Sequence, residues 1–140
     1  MTNHRIIHCQ RALGPNVEGL TLVSSESFSP RYDLHRTTGV ITRRGHSLYG
    51  QSIVGKILIF AGAKGGVAAG WAFLDLAGRG LAPLAILFKL TNPVMVQGCV
   101  AAHIAVMDQF SERITHTIPS GMHVRLYASE RCVEVLEPIP

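Results

Sequence analysis

Hydrophobic positions along this chain are clustered, and two clusters are almost continuous. Residues 57–60 (ILIF) and 83–90 (PLAILFKL) are apolar runs bounded by turn residues. Runs of that length read as short strands buried on both faces. Between them lies an alanine-rich stretch free of proline, 67–77, which predicts a helix. Its pattern places Trp71, Leu74 and Ala77 or Gly78 on one face, with Trp71, Phe73 and Leu74 expected in the core. Gly78-Arg79-Gly80 supplies the stop. Strand, glycine turn, helix and strand make a crossover unit, which implies a parallel pair.

The remaining pattern predicts mostly short strands. Residues 5–13 form a first strand around Ile6 and Ile7, followed by a Gly14-Pro15-Asn16 turn and a second strand at 19–24. The polar stretch 24–33 reads as a loop, 38–42 as a strand, 43–52 as a loop, and 53–60 as the approach to the first buried run. Asn92 and Pro93 fit the N-cap and N1 positions of a helix. That helix is expected to cover 94–110, with Gly98 letting another backbone approach and His103 in its apolar interior. Residues 114–118 are a strand candidate, Pro119-Ser120-Gly121 a turn, and 123–127 with 131–136 a hairpin. The expectation is one α/β domain over all 140 residues, rich in short strands.

Composition narrows the functional classes. Hydrophobic residues make up 47% and charged residues only 16%, with positive mean hydropathy, so part of the surface is expected to lie under a partner. No run of about 18 apolar residues suggests a membrane span. The N-terminal sequence lacks the apolar core of a signal peptide, so a cytoplasmic chain is expected. The net charge of +4 comes from scattered basic residues, Arg43-Arg44 being the only adjacent pair. Without a basic stripe interleaved with aromatics, a small anionic ligand fits better than nucleic acid. Cys9, Cys99 and Cys132 are far apart and odd in number, which argues against a disulfide framework or an all-protein metal site. His4 and His8 beside Cys9 could share a helix face, but the Ile6-Ile7 pair between them favours a strand with an ordinary polar edge.

The candidate chemistry centres on the glycine turn, Gly62-Ala63-Lys64-Gly65-Gly66, followed by Val67. A turn between strand and helix aims backbone N–H groups and the positive end of the helix dipole at one point, which suits an anion. Lys64 would be its counter-charge. The spacing fits neither the Walker A pattern nor the dinucleotide G-x-G-x-x-G pattern. The two glycines could equally serve only a tight turn. Ser24, Ser25, Ser27 and Ser29 near Asp33 and His35 could be imagined as a hydrolase, but no G-x-S-x-G elbow sets a nucleophile. His46, after Gly45, is either a pocket base or a turn residue.

The order of these pieces resembles the swivel domain, or small subunit, of aconitase X enzymes. The resemblance runs from Gly14 to His103, with a weaker tail to Leu136. It rests on the opening 14–23 (GPNVEGLTLV), on Ser27-Phe28 with Asp33 and Thr38-Gly39-Val40-Ile41, and on 46–58 (HSLYGQSIVGKIL). Ala82-Pro83-Leu84-Ala85-Ile86, Asn92-Pro93 and 98–101 (GCVA) continue it. It implies a swivelling β/β/α domain, with short strands in a mixed sheet or barrel-like core and about two main helices. It also implies that this chain binds no cofactor itself and joins a large subunit in a heterodimer. That subunit would carry an iron or iron–sulfur centre. Such a pair would be a hydro-lyase (dehydratase) that removes water from a small hydroxy-carboxylate by proton abstraction and metal-assisted loss of hydroxide. Known substrates of such enzymes include cis-3-hydroxy-L-proline and mevalonate 5-phosphate. Gly62, Lys64, Gly65, Gly66, Val67, Ser27 and His46 would bind the substrate anion.

The sequence departs from the family pattern in the glycine turn. The family carries a serine-rich run after Arg-Gly, with a serine as base. Here Lys64 takes the arginine position and 62–70 contains no hydroxyl. The family's Trp-Gly-Gly after Ser-Phe is replaced by Ser29-Pro30-Arg31. The base then lies on the partner, or is Lys64 itself, or the chain is a non-catalytic anion-binding or regulatory module.

Overall fold

The computed structural model describes residues 4–64 and 67–136. The chain opens with strands β1 (His4–Leu13), β2 (Val17–Val23) and the two-residue β3 (Ser27–Phe28). A small hairpin follows, β4 (Leu34–His35) with β5 (Val40–Ile41). The centre is β6 (Ile57–Ala63), helix α1 (Val67–Gly78) and β7 (Ala85–Leu90). Helix α2 (Pro93–Ala101), β8 (Ala105–Phe110) and the short α3 (Ile114–Thr117) come next. The closing hairpin is β9 (His123–Tyr127) and β10 (Cys132–Leu136), joined through a 3-10 turn at Ala128–Glu130.

Seven strands close into a mixed barrel in the order β2-β9-β10-β1-β8-β7-β6, with β6 returning to β2. The crossover β6-α1-β7 is parallel, as the apolar runs predict, and β7–β8 and β2–β6 are also parallel. Pairing is staggered. The first half of β1 pairs with β10 and its second half with β8, while β2 passes from β9 to β6. Stagger of this kind is what closing a sheet requires.

The pleat divides the apolar side chains between two cores. Ile57, Ile59, Ala85, Leu87, Ala105 and Met107 point into the barrel with Ile7, Val124 and Val133. Leu58, Phe60, Ile86, Phe88 and Val106 point outward, beneath α1, α2 and the segment containing Phe28, Ile41 and Ile53. Both faces of β6 and β7 are buried, which is why their sequences lack alternation.

The helices differ from the sequence reading in three places. On α1 the buried stripe is Ala69, Ala72, Phe73 and Leu76, whereas Trp71 is 66% and Leu74 37% exposed. Phe73 is in the core as expected. The helix is apolar nearly all round, so periodicity could not choose the face; small alanines allow the closer approach to the sheet. The helix predicted over 94–110 ends at Ala101. His103 takes a left-handed backbone (φ 59°) and is exposed, and the Ile104 N–H bonds back to the Cys99 carbonyl at 2.9 Å. That Schellman-type closure frees the apolar run 104–107 to begin β8. Residues 114–117 form a helical turn, not a strand, with Ile114 and Ile118 plugging the barrel interior. At the start of α2, Asn92 Oδ1 accepts the Met95 N–H at 2.8 Å, with Pro93 the first helical residue, as predicted.

Candidate functional site

The strand predicted to stop at Phe60 runs on through Gly62 and Ala63. Gly62 is therefore a strand residue, paired with Ser27 on one side and Leu90 on the other, and not part of the turn. Hydrogen bonding to neighbours on both sides carries β6 past the last bulky residue. The Lys64 N–H donates to the Phe28 carbonyl at 2.9 Å, so Lys64 leaves the barrel beside β3. Val67 is the first residue of α1. Gly65 and Gly66, the centre of the predicted anion turn, lie outside the described residues.

Asp33 organises this end of the molecule. It is fully buried, and its carboxylate accepts the Ser29 N–H at 2.8 Å. Arg43 Nη1 lies 3.0 Å from Oδ1, and Lys64 Nζ lies 3.4 Å from Oδ2. The Asp33 carbonyl accepts the N–H groups of Thr42 and Arg43. One residue thus ties the serine loop, the end of β5 and the end of β6 together. Arg43 and Lys64 remain 52% and 39% exposed at their side chains.

A second set of bonds fixes the facing loop. Ser24 Oγ and Ser47 Oγ share a hydrogen bond of 2.7 Å, and Glu26 Oε2 accepts the Ser47 N–H at 2.6 Å. Those bonds from Ser47 hold the Glu26 carboxyl below the usual glutamate range. His46 is buried, edge-on to Phe60, and its Nδ1 accepts the Leu48 N–H at 3.1 Å.

Between the two loops lies a cleft of about 480 Å³. The structure brings Ser27, His46 and Lys64 to its wall, together with Ser25, Arg43 and Arg44. The sequence reading missed both arginines and Asp33 as site residues, although Arg43-Arg44 is the only basic doublet and directly precedes Gly45-His46. Ser25 also lines a neighbouring cleft of about 500 Å³ beside the ends of β7 and β8, where Lys89 and Arg113 lie. A more apolar groove of about 580 Å³ lies elsewhere, between β1, α2 and β8. Among the described residues no three His, Cys, Asp or Glu side chains gather as metal ligands. Cys9, Cys99 and Cys132 are buried, unbridged thiols. Burial is the main cause that pushes Cys9 up to about 11 and Cys99 up to about 12.

A closed mixed barrel, two helices on one side and a cationic cleft at the ends of β3 and β6 define a β/β/α swivel-type domain. The chain belongs to the aconitase X swivel-domain family, whose profile matches residues 6–135. It is 35% identical over 108 residues to the phosphomevalonate dehydratase small subunit of Methanothrix thermoacetophila, covering 77% of this chain and 79% of that one. To the protein of the same name from Archaeoglobus fulgidus it is 30% identical over 129 residues, covering 92% and 97%. Its fold is similar to Thermococcus kodakaraensis aconitase X in the holo-form, with TM-score 0.88, 28% identity, and 95% and 99% of the two chains covered.

Proposed function

We propose that this chain is the small subunit of an aconitase X-type hydro-lyase that dehydrates a phosphorylated hydroxy acid, mevalonate 5-phosphate, in complex with a large subunit. The observation that carries the reading is the convergence of Lys64, Arg43, Arg44, His46 and Ser27 on one cleft in a chain of this family. A hydroxy acid bearing a phosphate presents at least two anionic groups, and concentrated positive charge at a protein-walled cleft binds such ligands. The relatives named for phosphomevalonate favour it over cis-3-hydroxy-L-proline, which carries no phosphate.

Within this reading Lys64 holds the substrate carboxylate. Its ammonium lies 3.4 Å from the buried Asp33 carboxylate, which positions it. With Lys64 assigned to the carboxylate and no hydroxyl between Gly62 and Gly70, the base is assigned to the large subunit. Ser27, on the strand beside Lys64, and His46, on the facing loop, would contribute hydrogen bonds, and Gly65, Gly66 and Val67 would form the anion turn that the sequence predicts. Closure of the swivel domain over the large subunit would exclude water from the reacting groups. The test is co-expression with a large aconitase X-type subunit. Co-purification and dehydration of mevalonate 5-phosphate are expected, and a complex that turns over cis-3-hydroxy-L-proline alone would overturn the substrate assignment.

The lack of any hydroxyl between Gly62 and Gly70 supports a second reading, a non-catalytic anion-binding module on the same fold. Ligand binding by this chain together with no turnover by any such complex would establish that instead.

A further inference from the structure

His46 lines the cleft and carries one buried polar atom without a partner. Its side chain is 2% exposed. Nδ1 accepts the Leu48 N–H, which leaves the ring proton on Nε2, and Nε2 is buried with no hydrogen-bond partner. A buried donor without an acceptor is costly, and an acceptor entering the cleft removes that cost. Arg44, two residues away, is exposed and makes no hydrogen bond or ion pair among the described residues. Arg43 and Lys64 are different, because both already face Asp33. The three cations stand against two carboxylates, Asp33 and Glu26, so the uncompensated positive charge sits on Arg44.

We propose that the Arg44 guanidinium and the Nε2–H of His46 form a subsite for a dianionic phosphate group, separate from the Lys64 contact. The inference rests on the dehydratase reading and names the residues that would distinguish a phosphorylated hydroxy acid from an unphosphorylated one. A guanidinium fork donates to two oxygens at once. A carboxylate is then fully used, whereas a phosphate still offers a third oxygen to the imidazole donor.

The test is an NMR titration of the full chain at neutral pH and constant ionic strength, with inorganic phosphate as the probe and acetate alongside. Phosphate is expected to shift the Arg44 Nε–H and His46 Nε2–H signals and to bind more tightly than acetate. Arg44→Gln should weaken phosphate binding roughly tenfold, equivalent to about 1.4 kcal/mol. Arg36→Gln removes the same charge from an exposed residue of the β4–β5 hairpin that lines none of the three clefts, and should change binding less than about twofold. Wild-type binding by Arg44→Gln, shifts in neither signal, equal affinity for acetate, or no phosphate binding at millimolar concentration would each overturn the subsite. Failure of the dehydratase reading would appear separately, as absent turnover in the complex with phosphate binding intact.

Discussion

Asp33 shows how one buried side chain sets the chemistry of a surface cleft. Its carboxylate has no access to water and is matched by the Ser29 N–H, Arg43 and Lys64. Asp33→Asn keeps an acceptor for Ser29 but removes the charge that holds two cations. Both cations are partly hydrated, so the cost stays below that of breaking a wholly buried pair, at about 1–3 kcal/mol. Urea denaturation measures it, and a variant as stable as the wild type would show that the carboxylate holds nothing together. Lys64→Ala acts on the ligand instead. Loss of one charge-assisted contact should weaken anion binding by roughly 1.5–3 kcal/mol, read by calorimetric titration with mevalonate 5-phosphate. Unchanged affinity would remove Lys64 from the binding wall. Lys64 and His46 could be singled out from local sequence because each adjoins a glycine. Asp33 could not be ranked above other acidic residues, because its role depends on partners ten and thirty-one positions away.

At the scale of elements, the crossing of α1 and α2 is set by two glycines. A Cβ on Gly98 would lie 2.5 Å from the Gly70 Cα, closer than any real contact, whereas a Cβ on Gly70 would lie 3.4 Å from the Gly98 Cα. Gly98→Ala must push the helices apart and should cost about 1–3 kcal/mol, with Gly70→Ala clearly milder. Thermal or urea unfolding of the two variants compares them, and equal stability would contradict the crossing. Gly98 as a point of close approach was legible because a glycine inside an alanine-rich helix has few other uses. The face that α1 buries was not legible, since Trp71 and Leu74 are as apolar as Phe73 and Leu76. The end of α2 was hidden because a histidine, and not a glycine, occupies the left-handed position that closes it.

For the whole molecule, the two cores make stability sensitive to alkaline pH. Cys9 and Cys99 ionise near 9.0 when unfolded but only at about 11 and about 12 in the fold, chiefly because burial disfavours the thiolate. Above pH 9 the unfolded chain therefore binds fewer protons than the native one, and stability falls as pH rises towards the folded values. Each thiol contributes a slope of about 1.4 kcal/mol per pH unit in that window. Urea titrations at pH 8 and 10 should show a loss of about 1–3 kcal/mol that is smaller in the Cys9→Ala, Cys99→Ala double variant, which keeps Cys132, a third thiol that burial pushes up. A double variant with the same slope as the wild type would assign the effect to other groups. The fold also leaves Leu13, Trp71, Leu90 and Val100 exposed, in line with the low surface charge expected from composition. No helix among the described residues is long and apolar enough to cross a membrane.

The sequence by itself determined the crossover of β6, α1 and β7, the closing hairpin, the N-cap of α2 and the family. Those features rest on contiguous residues, where periodicity, turn chemistry and motif order are local. Tertiary structure alone decided the closure of the barrel, through the return pairing of β2 with β6 between segments far apart in the chain. It alone placed Arg43 and Arg44 beside Lys64 and buried Asp33 between the loops. Strand register and long-range ion pairs depend on which surfaces meet in three dimensions, and a linear pattern carries no term for that.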